Sequence, residues 1–137
     1  MKRKLLTVLL GIVMIFSLTV AASASWSAKL TLDVPGWNGS KISKTYATKT
    51  TDDEICAFHT YTNTAVDPFG VDGRLVNSED APRSNWVRNM PAGSTLTAGT
   101  SATKGYWYYA ELSTDFLEPN TISVSFKFNP DNQPFVD

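Results

Sequence analysis

Two stretches of this chain alternate apolar and polar residues without a break: Ala28-Lys29-Leu30-Thr31-Leu32-Asp33-Val34 and Thr121-Ile122-Ser123-Val124-Ser125-Phe126-Lys127-Phe128. An extended backbone sends successive side chains to opposite faces, so this period of two predicts strands. In the second stretch Ile122, Val124, Phe126 and Phe128 fall on one buried face. Thr121, Ser123, Ser125 and Lys127 then point toward water.

Between these two lie further expected strands. Lys41 to Lys49, rich in Thr, Ser and Tyr, suits an exposed strand pairing back across the turn Pro35-Gly36-Trp37-Asn38-Gly39. Glu54 to Thr62 reads as a central strand through Ile55, Phe58 and Tyr61, and Val71 to Val76 as a short one after the breaker Asp67-Pro68-Phe69-Gly70. Asn85 to Met90 is a further candidate, ended by Pro91-Ala92-Gly93. Ser94 to Thr100 and Gly105 to Ser113 are expected to form a hairpin, and Pro119-Asn120 to turn the chain into the last strand. Helical spacing is weak, with at most one helical turn near Ser113 to Leu117. About seven short strands with turn signals between them predict an all-β fold, a single antiparallel β-sandwich or Greek-key-like barrel. Gln133 to Asp137 is expected to be a frayed, flexible tail.

The first 24 residues break this pattern. Lys2, Arg3 and Lys4 precede the apolar run Leu5 to Val20 and the small residues Ala21-Ala22-Ser23-Ala24. That is the layout of a cleaved secretory signal peptide, and the run is shorter than the ~20 apolar residues of a membrane span. The expectation is a signal peptide at 1–24, one domain at 25–137, a secreted product, and no stable membrane anchor after processing. Removing 24 of the 137 residues leaves 113, enough for one hydrophobic core. It also removes three of the 12 basic residues, so nine face all 13 acidic ones, a net charge near −4. Scattered cations on an acidic chain do not make a polyanion-binding patch, which sets nucleic acid aside as a partner.

Cys56 is the one cysteine and His59 the one histidine. An internal disulfide is therefore excluded, and the domain must rest on packing. A thiol beside a base would suggest nucleophilic catalysis. Residues three apart on a strand point to opposite faces, however, so the pair is not expected to share a proton. One His and one Cys do not supply a zinc site. Asp52, Asp53 and Glu54, and Asp67 with Asp72, match no calcium-loop spacing and read as turn formers and solubilising charges. No cofactor is expected. Glu111 and Glu118 could serve as the paired carboxylates of a glycoside hydrolase, but no Gly-x-Ser-x-Gly elbow accompanies the serines.

The most informative functional segment is Tyr106-Trp107-Tyr108-Tyr109. Period two sends Tyr106 and Tyr108 to one face and Trp107 and Tyr109 to the other. A two-layer sandwich buries one face of each sheet, so one aromatic pair should face outward. Trp37, in a turn, should add another exposed ring. The candidate ligand-binding residues are therefore Trp107, Tyr109 and Trp37, suited to flat partners such as sugar rings or to a protein groove.

The basic leader, the Ala-Ser-Ala cleavage site and a mature region rich in Thr, Tyr and Trp resemble small proteins secreted by Gram-positive bacteria. Lys104-Gly105-Tyr106-Trp107-Tyr108-Tyr109 is also similar to a segment of lactococcin-like bacteriocins, a resemblance that implies an aromatic-rich β-sandwich. The resulting expectation is a secreted bacterial, non-enzymatic binding protein that recognises cell-envelope glycan or another extracellular protein. A bacteriocin-like toxin is the alternative and a secreted hydrolase the third reading.

Overall fold

A computed structural model of the chain describes residues 26–66 and 68–137. The expected signal peptide at 1–24 and the acidic residue Asp67 lie outside the described residues. Seven strands follow in order: β1 (Leu30–Val34), β2 (Ser40–Thr48), β3 (Ile55–Asn63), β4 (Val71–Val76), β5 (Ser94–Gly99), β6 (Trp107–Thr114) and β7 (Ile122–Asn129). They form two antiparallel sheets, one of four strands in the order β1-β7-β3-β5 and one of three in the order β2-β6-β4.

Alternation along the strands builds the core between the sheets. On β7, Ile122, Val124, Phe126 and Phe128 are all buried, as their period requires. Phe58 of β3 packs against the last two, its ring centroid 6.2 Å from Phe126 and 6.0 Å from Phe128, which are 6.3 Å from each other. The smaller sheet contributes Val71 and Leu75 from β4 and Tyr108, Ala110 and Leu112 from β6. Fully burying each large apolar side chain contributes about 1.5–3 kcal/mol, so this shared cluster is the main force holding the layers together.

Strand positions match the sequence pattern more closely than strand partners do. β1 and β2 do not form the expected hairpin, and neither do β5 and β6: in each pair the two strands belong to opposite sheets. Alternation fixes which side of a strand faces the core, and both sheets offer that core equally well. The turn after β1 is instead fastened to the β6–β7 connection, with Trp37 N–H donating to Glu118 O and Asn38 N–H to Asp115 O. Gly36 permits this, since a Cβ there would lie 2.6 Å from the Glu118 carbonyl oxygen and 2.7 Å from that of Asn120. The residues near Ser113 to Leu117 form a single hydrogen-bonded turn, closed by Glu118 N–H on Asp115 O, and no helix.

Asn85 to Met90 is likewise not a strand. It runs along the edge of β4 and exchanges backbone–backbone hydrogen bonds with it only through Val87 and Gly73, plus Met90 N–H to Val71 O. Asn89, at φ 48°, interrupts the extended conformation, and its N–H is taken by the Asp72 carboxylate at 2.8 Å. Val87 and Met90 nevertheless insert into the core.

A buried cation joins the sheets at one end. Lys49, just after β2, is 1% exposed and Asp131, just after β7, is fully buried. The Lys49 ammonium donates to Asp131 Oδ1 at 3.1 Å, to Pro130 O at 2.9 Å and to Asp53 Oδ1 at 3.2 Å. Asp131 also accepts from the backbone N–H and hydroxyl groups of both Thr50 and Thr51. Removing one partner of such a pair strands a charge away from water, so Lys49→Met should lower the unfolding free energy by about 3–5 kcal/mol in urea titration. A loss below about 1 kcal/mol, the worth of an exposed ion pair, would contradict this placement.

Partial burial pushes the Asp53 carboxyl up, but hydrogen bonds from Thr51, Asn132, Lys49 and Ile55 outweigh it and hold the group below its ordinary 3.8. A carboxyl whose folded value is depressed adds stability above its unfolded value and loses it as pH falls through the folded one. Stability should therefore decline on acidification below about pH 3.8, and Asp53→Asn should make that decline shallower in urea titrations repeated across the acid range.

Candidate ligand-binding face

The outer face of the three-stranded sheet carries the expected aromatic pair. Along β6, Tyr108, Ala110, Leu112 and Thr114 face the core while Trp107, Tyr109, Glu111 and Ser113 form the alternate set on the outer face, where Glu111 is buried among its neighbours. Trp107 is 58% exposed and Tyr109 half-buried. On β2, Tyr46 lies directly opposite Tyr109 and Thr48 opposite Trp107. The Tyr46 ring stacks on Trp107, with centroids 4.8 Å apart and planes 23° apart, and meets Tyr109 edge-on at 6.3 Å. Tyr46 is itself 48% exposed, so three rings form one outward platform.

A bulge in β2 shapes this arrangement. The register shifts between Ile42 and Tyr46, and the Ser43 hydroxyl fills the gap by accepting the Ala110 N–H at 3.0 Å. Such a bulge bends the strand and re-aims the side chains beyond it, Tyr46 among them.

Next to the platform the face becomes polar. Arg74 of β4 is opposite Glu111, and its Nε donates to Glu111 Oε2 at 2.6 Å. The Arg74 guanidinium lies 4.3 Å from the ring centre of Trp86, which projects from the segment along the β4 edge. Arg88 stands 5.8 Å from the same ring and donates through Nη1 to Asp72 Oδ2 at 2.6 Å. Each of these charges thus has an opposite neighbour, and two cations lie against the Trp86 ring. A cleft of about 440 Å³ opens here, lined by Trp86, Phe116, Asp72, Arg88, Glu111 and Ser113 among others. At the opposite end of β6 a second cleft, about 370 Å³, is lined by Tyr106, Trp107, Asn77, Glu79 and Arg83 among others.

Of the three candidate residues, Trp107 and Tyr109 lie together on this face. Trp37 does not join them: the β2–β6 ladder pairs Ser40 with Ser113 at one end and Thr48 with Trp107 at the other, and Trp37 adjoins the Ser40 end. Its chain neighbour Asn38 lines the larger cleft, and Trp37 itself does not. Tyr46, Arg74, Trp86 and Phe116 complete the face, and none of them was among the candidate binding residues. Tyr46 had a signal, as an aromatic in an exposed strand, whereas Arg74 and Trp86 meet only through the fold.

The outer face of the larger sheet is aromatic too, but the chain covers it with its own ends. Phe135 stacks on His59 at 3.6 Å, and Trp26 meets Phe135 edge-on at 5.3 Å while its Nε1–H donates to Pro134 O. Tyr61 donates to Asp137 Oδ1 at 2.6 Å, and loss of solvent together with that carboxylate pushes its phenol up to about 12. Residues 133–137, expected to fray, thus carry packing and hydrogen bonds. The same shielding, reinforced by Lys127 and opposed by Asp137, holds His59 below its usual range.

The residues weighed for catalysis are dispersed. Cys56 lies in the core, where burial pushes its thiol up, and His59 faces outward on the same strand, so the two occupy opposite faces. Glu111 lines the larger cleft, whereas Glu118 is buried in the β6–β7 connection, where it accepts the Asn120 N–H, and lines a different cleft. Among the described residues no three His, Cys, Asp or Glu side chains converge to hold a metal ion.

Fold and site together define a two-sheet antiparallel β-protein with one open aromatic face. Comparison with known protein families, curated protein sequences and solved structures finds no match. The reading of the face therefore rests on its own chemistry.

Trp37 is 65% exposed and, with Asn38, occupies the left-handed region at φ 56° and 59°. A bulky residue there costs about 1–2 kcal/mol that glycine would not incur. Trp37→Gly should accordingly raise the unfolding free energy by about 1 kcal/mol in denaturant titration. A drop in stability would show that the ring has packing contacts its exposure does not suggest.

Proposed function

We propose that this chain is a secreted, non-enzymatic protein that binds cell-envelope glycan on the outer face of its three-stranded sheet. The observation that carries the proposal is the exposed stack of Tyr46 on Trp107, adjoining the paired charges of Arg74 with Glu111 and Arg88 with Asp72. The apolar C–H face of a pyranose ring packs on an aromatic platform of this kind. Sugar hydroxyls are both donors and acceptors, and guanidinium–carboxylate pairs present both partners at fixed positions. An aromatic surface with a few convergent polar groups is the general chemistry of a small-molecule site. The export signal read at residues 1–24 supports an encounter outside the cell.

Retention on purified cell walls tests the proposal. Replacing both Trp107 and Tyr109 with Ala should weaken retention by roughly tenfold or more, since about 1.4 kcal/mol of lost contact is a factor of ten. Circular dichroism should be unchanged, because both side chains lie outside the core. Undiminished retention by a folded double variant would overturn the aromatic-face reading.

A further inference from the structure

We infer that the ligand is a linear, uncharged polysaccharide lying along β6 and held at several successive rings, not a single sugar or a chain end. This rests on the proposed glycan-binding face and deepens it.

The first argument is length. The outward row of β6 runs from Trp107 through Tyr109 and Glu111 to Ser113. Those six residue steps cover about 20 Å at about 3.4 Å per residue, several times the width of one sugar ring. The two clefts lie at the two ends of this row, the smaller at Trp107 and the larger at Glu111 and Ser113, with Tyr46 and Tyr109 bridging the interval. Exposed rings continue past both ends: Tyr106 precedes Trp107, and Phe116, 72% exposed, lines the larger cleft at the other end. A site built for one ring would concentrate its aromatic and polar groups in a single hollow. Here they are spread in a line.

The second argument is charge. Arg74 is neutralised by Glu111 and Arg88 by Asp72. These four side chains cancel, and Asp115, which lines the same cleft, adds one negative charge that disfavours an anionic polymer. They offer hydrogen-bonding groups suited to hydroxyl and acetamido substituents.

The third is shape. Platforms on one sheet face suit a chain whose rings present broad, flat faces in succession, as equatorially linked pyranoses do. N-acetylchito-oligosaccharides, neutral and β-linked, are the matching probe.

The test is a calorimetric titration with N-acetylchito-oligosaccharides from the disaccharide upward. Affinity should rise with each added sugar until the chain spans the row and then level off. Trp107→Ala and Phe116→Ala, at opposite ends and both outside the core, should each weaken binding of the longest oligomer about tenfold while leaving thermal unfolding unchanged. The disaccharide, able to occupy one end only, should lose affinity through one of the two variants and not the other. Equal affinity at every length, or sensitivity of the longest oligomer to one end alone, would overturn the linear-ligand inference while leaving the binding face in place. Retention on cell walls with no binding to any oligomer would overturn the assignment to a neutral β-linked chain. If the Trp107 and Tyr109 double variant keeps its cell-wall retention, the face itself is at fault.

Discussion

The ammonium of Lys49 is the point on which the two layers and the open face both depend. Hydrophobic burial drives the sheets together but is non-directional and fixes neither their relative register nor their ends. A cation enclosed between Asp131, Asp53 and the Pro130 carbonyl is directional, because a displaced sheet would leave charge without a partner in a water-poor interior. The same residue reaches the aromatic segment through its backbone: its N–H donates to Tyr106 O, and its carbonyl accepts the Gly105 N–H. The contact that locks β2 to the end of β7 thus also sets where the chain enters β6 and where Trp107 stands.

The two outer faces are treated differently. On the larger sheet, Trp26 and residues 134–137 close over His59 and Tyr61, and the rings satisfy one another. On the smaller sheet no segment of the described chain covers Tyr46 and Trp107, which keep about half their surface in water. Exposed aromatic area grouped in this way usually marks a contact surface, since scattered single residues would suffice for folding.

What was legible in the sequence follows from the reach of a period-two argument. It correctly separated Trp107 and Tyr109 from Tyr108, buried β7 through Phe126 and Phe128, and bounded Val71–Val76 to the residue. It also set Cys56 and His59 on opposite sides of β3. It could not choose partners, and so paired β1 with β2 and β5 with β6 where the chain crosses between sheets each time. Contacts made across long sequence separations were equally hidden. Lys49 reads as an ordinary strand-end lysine until the chain returns 82 residues later with Asp131. Trp86 lies on a segment broken by Asn89, and nothing local announces that Arg74 will stack against it. The tail read as frayed because the partners of Phe135 and Asp137 sit on a strand far upstream.

The claim that the open face of the three-stranded sheet takes the ligand is tested most directly by mapping the contact residue by residue. Isotope-labelled protein titrated with a long N-acetylchito-oligosaccharide and followed by amide and indole NMR shifts would do this. The account expects perturbations at Tyr46, Arg74, Trp86, Trp107, Tyr109 and Glu111, with His59, Tyr61 and Phe135 unmoved. Perturbations confined to the tail-covered face, or absent altogether at saturating oligosaccharide, would contradict it.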